Sequence, residues 1–463
     1  MSEIINKEEE FNCSRRNFIK AMVYSAGNFT LSGYNLKNIP IGFKNQLQTK
    51  PTAALIYRSI NGSPESNMIK IIEMMGGIKN IVSSEDVVVI KPNVQWWNHG
   101  APNLASLKTF VDVIMEMPGG FKGEVVIAEN CHRGNKPWKS INSGWERKFE
   151  INSEIPDVFN LNDLTVLLKN NYGRKFSVCH WIDVGSGGKR VYGPADGNGY
   201  VFCDGTGGVP LLSLGNGAMG NQYRATILTY PIFITDRGTV IDFKNGIWEK
   251  GAYTGRDFRF INFAALNHHS RYCGVTSSMK NYMGITDLSG GPDPFTGGRL
   301  TDKYYNFHSF PFNKWSKGPV PGMLGAEIAF FMKEIRKADL NIVTAEWVGL
   351  SSRTCLPVAR TKTVLASKDS VALDYHGSKY ILFPNSKIKL HDPDNEKAPL
   401  YQYLHECGKL NEDATGEKDI TCSSFDLSKR RYTKEGELPV KGDIHWGNDI
   451  KNISKYLALK YLY

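Results

Sequence analysis

From residue 86 onward, short apolar runs alternate with amphipathic stretches. The first run, DVVVI at 86–90, is β-branched and unbroken, as in a strand buried on both faces, and it ends in Lys91-Pro92-Asn93. LASLKTFVDVIMEM at 104–117 sets Leu104, Leu107, Phe110, Val111 and Ile114 on one helical stripe. EVVIA at 124–128 is the next strand, ending in Glu129-Asn130-Cys131-His132. RFINFAAL at 259–266 predicts a strand ending in Asn267-His268-His269, and GVTSSMKNYMG at 274–284 reads as the turn and helix after it. A helix over 325–338 leads to a strand over 339–345 that ends in Glu346-Trp347. A further strand over 361–367 precedes a helix that Ser367 or Asp369 can cap. This alternation predicts an α/β fold, a mostly parallel sheet flanked by helices.

The alternation lapses twice. Residues 140–258 are glycine-rich with turn signals every few positions, and predict a β-rich or loop insertion. GSGGKR at 185–190 lacks the spacing of a P-loop and precedes no clear helix, so it reads as turns rather than a phosphate cradle. After residue 383 a polar linker, a helix over 400–410 and a C-terminal extension over 384–463 follow, leaving 50–383 as the α/β domain.

With 463 residues, 41% of them apolar, the chain can bury a large core. Its net charge of +10 favours anionic ligands or surfaces, but no arginine-rich or aromatic-interleaved basic tract points to nucleic acid. No run of eighteen apolar residues occurs. The eight cysteines include no C-x-x-C pair, so a ferredoxin-type iron–sulfur cluster is not encoded locally. SRRNFIK at 14–20, followed by sixteen uncharged residues, resembles a twin-arginine signal, with Ile19 where the pattern has leucine. The resemblance implies that residues 1–45 address the folded chain to the twin-arginine translocation machinery and a periplasmic or extracytoplasmic location. No Ala-x-Ala site follows, so the segment is expected to stay as an N-terminal anchor. That route often carries cofactor-loaded proteins, which raises the expectation of a metal ion or redox group without identifying one.

In open α/β sheets ligands bind outside the carboxyl ends of the strands. Lys91, Asn93, Glu129, His132, His269, Glu346 and Asp369 all fall at such ends. Two readings stand. In the metal reading His269 combines with His132 and Cys131. His268 cannot join it, because adjacent residues of a strand point to opposite faces. In the polar-site reading Lys280 and Asn281 open a helix near its free amides. Lys91, Asn93, Thr276 and Asp369 then help to bind a carboxylate or phosphate. Glu129 or His269 serves as general acid or base, and Lys280 as electrostatic stabiliser or nucleophilic amine.

VVVIKPN, HHSRYCGVTSSMKNYMG and KADLNIVTAEWVG…KTVLASKDSVALD, in that order, resemble domain of unknown function 362, a bacterial and archaeal family, over about 86–383. The family pattern falls on Lys91, Pro92, Asn93, His269, Gly274, Val275, Thr276, Lys280, Asn281, Gly284, Asp339, Asp369 and Asp374. Some relatives carry a ferredoxin-like module with clustered cysteines, which this chain does not have. The resemblance implies an exported enzyme of unsettled reaction, redox or metal-assisted, acting on an anionic small molecule. The alternative is an extracytoplasmic binding protein for an anionic ligand or cofactor.

Overall fold

The computed structural model describes residues 53–130, 143–214, 226–289, 321–434 and 437–462. The twin-arginine-like segment, Cys131 and His132 lie outside them. Within the strand Val87–Pro92 the apolar side chains alternate: Val88 and Ile90 enter one apolar cluster, Val87 and Val89 another across the sheet. Helices Pro64–Met74, Leu104–Met115 and Leu161–Tyr172 cover the first face through residues such as Ile71, Phe110 and Leu164. Helices Pro321–Glu334, Ser370–Gly377 and Pro399–Asn411 cover the second through Ile328, Val371 and Leu404. The result is the expected α/β architecture.

The main sheet runs in the order Arg431–Tyr432, Ile420–Asp426, Ala54–Ile60, Val358–Ser367, Leu340–Gly349, Arg259–His268, Val87–Pro92, Glu124–Asn130, Phe176–Trp181. The last five are mutually parallel, so their carboxyl ends share one edge. From Val87–Pro92 the chain steps outward through Glu124–Asn130 to Phe176–Trp181. It then returns to the other side of Val87–Pro92 with Arg259–His268 and moves on to Leu340–Gly349. Successive strands therefore depart in opposite directions from the seam between Val87–Pro92 and Arg259–His268, which leaves a crevice at its carboxyl end.

Two boundaries and one strand direction differ from those expected. Helix Leu161–Tyr172 and strand Phe176–Trp181 complete the parallel block, so the insertion is confined to the region whose own six-stranded sheet spans residues 190–253. Beyond residue 383, Ile420–Asp426 pairs in parallel with all of Ala54–Ile60, making that stretch part of the main sheet. Val358–Ser367 is antiparallel to both neighbours, Ala54–Ile60 and Leu340–Gly349. Its carboxyl end therefore lies on the edge opposite the crevice.

Candidate functional site

Three strands of the parallel block each place one polar side chain in a single row. Asn262 is in register with Lys91 on one side and Asn341 on the other, and all three are buried. Polar groups inside a sheet need partners. Asn262 Nδ2 donates to Asn341 Oδ1 at 2.7 Å and to the Ser278 carbonyl at 2.8 Å. Asn281 Nδ2 donates to Asn262 Oδ1 at 2.7 Å and to the Lys91 carbonyl at 2.9 Å. Asn281 Oδ1 in turn accepts from the Lys91 ammonium. The row ends at Glu129, whose Oε1 is 3.0 Å from Lys91 Nζ and whose Oε2 accepts from the Val94 amide at 2.9 Å. Burial pushes the Glu129 carboxyl up to about 7, against the opposing pull of Lys91 and the Val94 amide.

Asn281 reaches this row from a single helical turn, Ser278–Asn281. The turn follows a short hairpin in which Val275–Thr276 pairs with Asn267–His268, and Gly274 makes the reversal at φ +78°, a conformation glycine adopts without strain. Asp374 caps the turn: its carboxylate accepts from the Ser278 amide at 2.8 Å, the Ser278 hydroxyl at 2.6 Å and the Met279 amide at 3.0 Å. The amides expected to receive a ligand anion are thus occupied by the protein's own carboxylate.

The row faces a cleft of about 50 Å³ lined by Lys91, Asn93, Glu129, Thr276, Lys280 and Asn281, all anticipated from the sequence. That is several times the roughly 10–15 Å³ one water requires. Asn130, Gln95, Gly284 and Arg353 also line it. Asn130 Nδ2 is engaged by Asp183 Oδ1 at 2.6 Å, the Tyr200 hydroxyl at 2.9 Å and the Thr286 carbonyl at 3.1 Å, which orients its Oδ1 as an acceptor. Among the described residues that oxygen has no donor, and Asn93 Oδ1, Gln95 Nε2 and Thr276 Oγ1 likewise have no hydrogen-bond partner although all are buried. Four such atoms around one cleft are an unmet demand for a polar ligand or ordered water. Lys280 stands on the same wall, its Nζ 3.3 Å from Met283 Sδ and 5.4 Å from the Tyr272 ring centre.

Two anticipated residues lie elsewhere. Asp369 is on the far edge of the sheet, where it accepts from the Ala372 amide at 2.8 Å as the cap of Ser370–Gly377 and from the Ala414 amide at 3.0 Å. Reading every strand as parallel put it at the site, whereas its strand is antiparallel. His269 stands one layer back: its Nε2 is 3.4 Å from Arg353 Nη1, and its Nδ1 is 3.3 Å from Ser270 Oγ. Its neighbour on the cleft side is thus Arg353, which itself lines the cleft. His268 points the other way, as strand geometry requires, with its Nδ1 2.8 Å from His391 Nε2. Among the described residues no three His, Cys, Asp or Glu side chains converge as metal ligands; Cys131 and His132 are not among those residues. In the loop at 185–190 the Gly185 amide donates to Ser289 Oγ at 2.6 Å, and the Ser186 and Gly188 amides to the Asp183 carbonyl at 2.8 and 2.9 Å, so these are likewise taken up internally.

The sequence reading missed Asn262, Asn341, Asn130 and Arg353. A lone asparagine inside RFINFAAL or DLNIVTA was the available signal, since a polar side chain in a doubly covered strand needs a buried partner. Arg353 carried none, because only the fold of the loop between Leu340–Gly349 and Val358–Ser367 brings it to the cleft. Compared with family models, curated proteins and solved structures, the chain has no match in any of the three.

Proposed function

We propose that the cleft is the active site of an exported enzyme that binds a small anionic molecule and moves a proton to or from it through Glu129. One observation carries this reading: a buried carboxyl held near neutrality, paired with a buried ammonium, on the wall of a cleft with unsatisfied polar atoms. Lys91, Lys280 and Arg353 supply positive charge for the anion and for charge developing next to it. Asn130 Oδ1 and Asn93 Oδ1 are acceptors for a hydroxyl or amine of the ligand, and Thr276 can give or take a hydrogen bond. The motifs that resemble those of domain of unknown function 362 and the twin-arginine-like signal fit the same reading. The cleft's described residues do not select a metal or redox group, so neither carries a step here.

The test uses the purified full chain and a panel of small carboxylates and phosphates. Binding is followed by thermal shift, and each binder is then incubated in D2O and inspected by proton NMR for exchange of C–H bonds next to its acid group. Wild type is expected to exchange a bound ligand, and Glu129→Gln to bind it without exchange. Binding by wild type with no exchange or other conversion would make the chain a binding protein. Binding that survives Thr276→Val with Asn130→Leu unchanged would remove the cleft from the account.

A further inference from the structure

Helix Ile450–Leu462 carries apolar side chains on two opposite sides. Inward, Tyr456 and Leu459 pack with Leu350, Ala359, Ile388 and Leu390, and the Tyr456 hydroxyl donates to the Ser386 carbonyl at 3.0 Å. Outward, Ile450, Leu457 and Tyr461 recur at spacings of seven and four, hence on one helical face, and are 78%, 41% and 74% exposed. Trp446, 42% exposed, precedes the helix, its ring edge-on to Tyr456 with centroids 5.2 Å apart. The helix bears Lys451, Lys455 and Lys460 and no carboxylate. Lys451 and Lys455 are exposed, and Lys460 lies 5.3 Å from the Tyr461 ring centre.

We infer that this helix docks the chain on an anionic lipid surface, its outer stripe entering the headgroup layer while the lysines meet lipid phosphates. Apolar and aromatic side chains beside a flank of three lysines, against the single carboxylate of Asp449 at the helix start, are what such a surface selects. A two-fold contact between copies would instead set three lysines against three, with only Asp449, which caps the helix, to offset them on each copy. The helix would lie on the membrane rather than span it, since thirteen residues fall short of the roughly twenty a crossing requires. Leu350, in the apolar cluster under the helix, belongs to the same loop as Arg353, so docking would hold that side of the cleft near the lipid.

The test is co-sedimentation of the full chain with vesicles of phosphatidylcholine alone or mixed with phosphatidylglycerol. Binding is expected only to the mixed vesicles, and it should weaken as salt rises. Ile450→Asp with Leu457→Asp should abolish binding without lowering thermal stability, because both side chains are exposed. Lys451→Glu with Lys455→Glu should weaken it about tenfold or more, each lysine near an anionic surface contributing on the order of fivefold. Undiminished binding by both variants would overturn the proposal by moving lipid contact to another segment. So would absence of vesicle binding alongside a dimer in light scattering that Ile450→Asp with Leu457→Asp dissociates, since the stripe's occupant would then be a second copy.

Discussion

Lys91 Nζ and Glu129 Oε1 lie 3.0 Å apart with both side chains in the interior, and the backbone of Gly284 closes over the pair. A methyl group at position 284 would overlap Lys91 Nζ and stand 3.2 Å from Glu129 Oε1. Ion pair and glycine therefore form one unit, whose geometry fixes both the charge on the cleft floor and the space above it.

Gly284→Ala should accordingly cost about 1–3 kcal/mol, the usual range for forcing an extra carbon into a packed interior. Urea unfolding reads that loss. Ligand binding should fall as well, because the only relief is to push Lys91 away from Glu129 or Asn281. A variant as stable as wild type would show that the backbone at 284 has room this geometry denies it.

Lys91→Met removes the charge that opposes burial, so the Glu129 carboxyl should move above about 7. A carboxyl raised by folding contributes stability below its unfolded pKa and loses it as pH climbs through the folded value. Wild type and variant both hold the proton in the folded state at pH 5 to 6, so the gap between them is nearly constant there. Above about 7 wild type ionises while the variant retains the proton, and the gap should widen by about 1.4 kcal/mol per pH unit until the variant's own pKa is reached. Urea unfolding at several pH values measures it. A gap that narrows with rising pH would contradict the pairing.

How much of this could be read in advance follows from what each residue declares about itself. Lys91, Glu129, Lys280 and Asn281 were legible because a β-branched run or a turn-plus-helix pattern dictates where a strand ends, and polar residues there point at the crevice. Strand direction is not a local property: TKTVLAS looks the same parallel or antiparallel, and only its pairing with Ala54–Ile60 and Leu340–Gly349 sends Asp369 to the far edge. His269 had the right chemistry at the right strand end, but whether it reached the cleft depended on Arg353, more than eighty positions away. Asp374 was named through the family resemblance alone, yet its bond to Ser278 joins a helix to a turn ninety-six residues earlier.

A second titration lies outside the cleft. Glu327 is fully buried, bonded to the Thr226 hydroxyl, and burial pushes its carboxyl up to about 8. By the same sign rule its contribution is complete below its unfolded pKa near 4.5 and is lost as pH rises through about 8. Glu327→Gln keeps the shape and cannot ionise, so its stability relative to wild type should improve between pH 5 and 9 by on the order of a few kcal/mol. Thermal unfolding of the two proteins across that range checks it, and parallel curves would mean that folding does not raise the Glu327 pKa.

Asp374 offers the sharpest separation of scaffold from site, because it touches no part of the cleft and still sets one wall of it. Its carboxylate satisfies two buried amides and a hydroxyl at the start of the turn carrying Lys280 and Asn281. Asp374→Ala leaves both amides without a partner, while the Ser278 hydroxyl keeps its bond to the Ser370 carbonyl; each buried unsatisfied group costs about 1–3 kcal/mol, so a loss of several kcal/mol is expected. Asp374→Asn retains one oxygen to accept a bond and should lose clearly less. Where the asparagine variant stays folded, the turn should still shift, because one amide is left unpaired; Asn281 would then loosen its hold on Lys91. Crystallography or NMR of that variant reads the displacement directly. Ligand binding that weakens in Asp374→Asn while Asp369→Asn leaves it intact would show that the two aspartates, one inside the helix Ser370–Gly377 and the other its cap, serve different parts of the molecule.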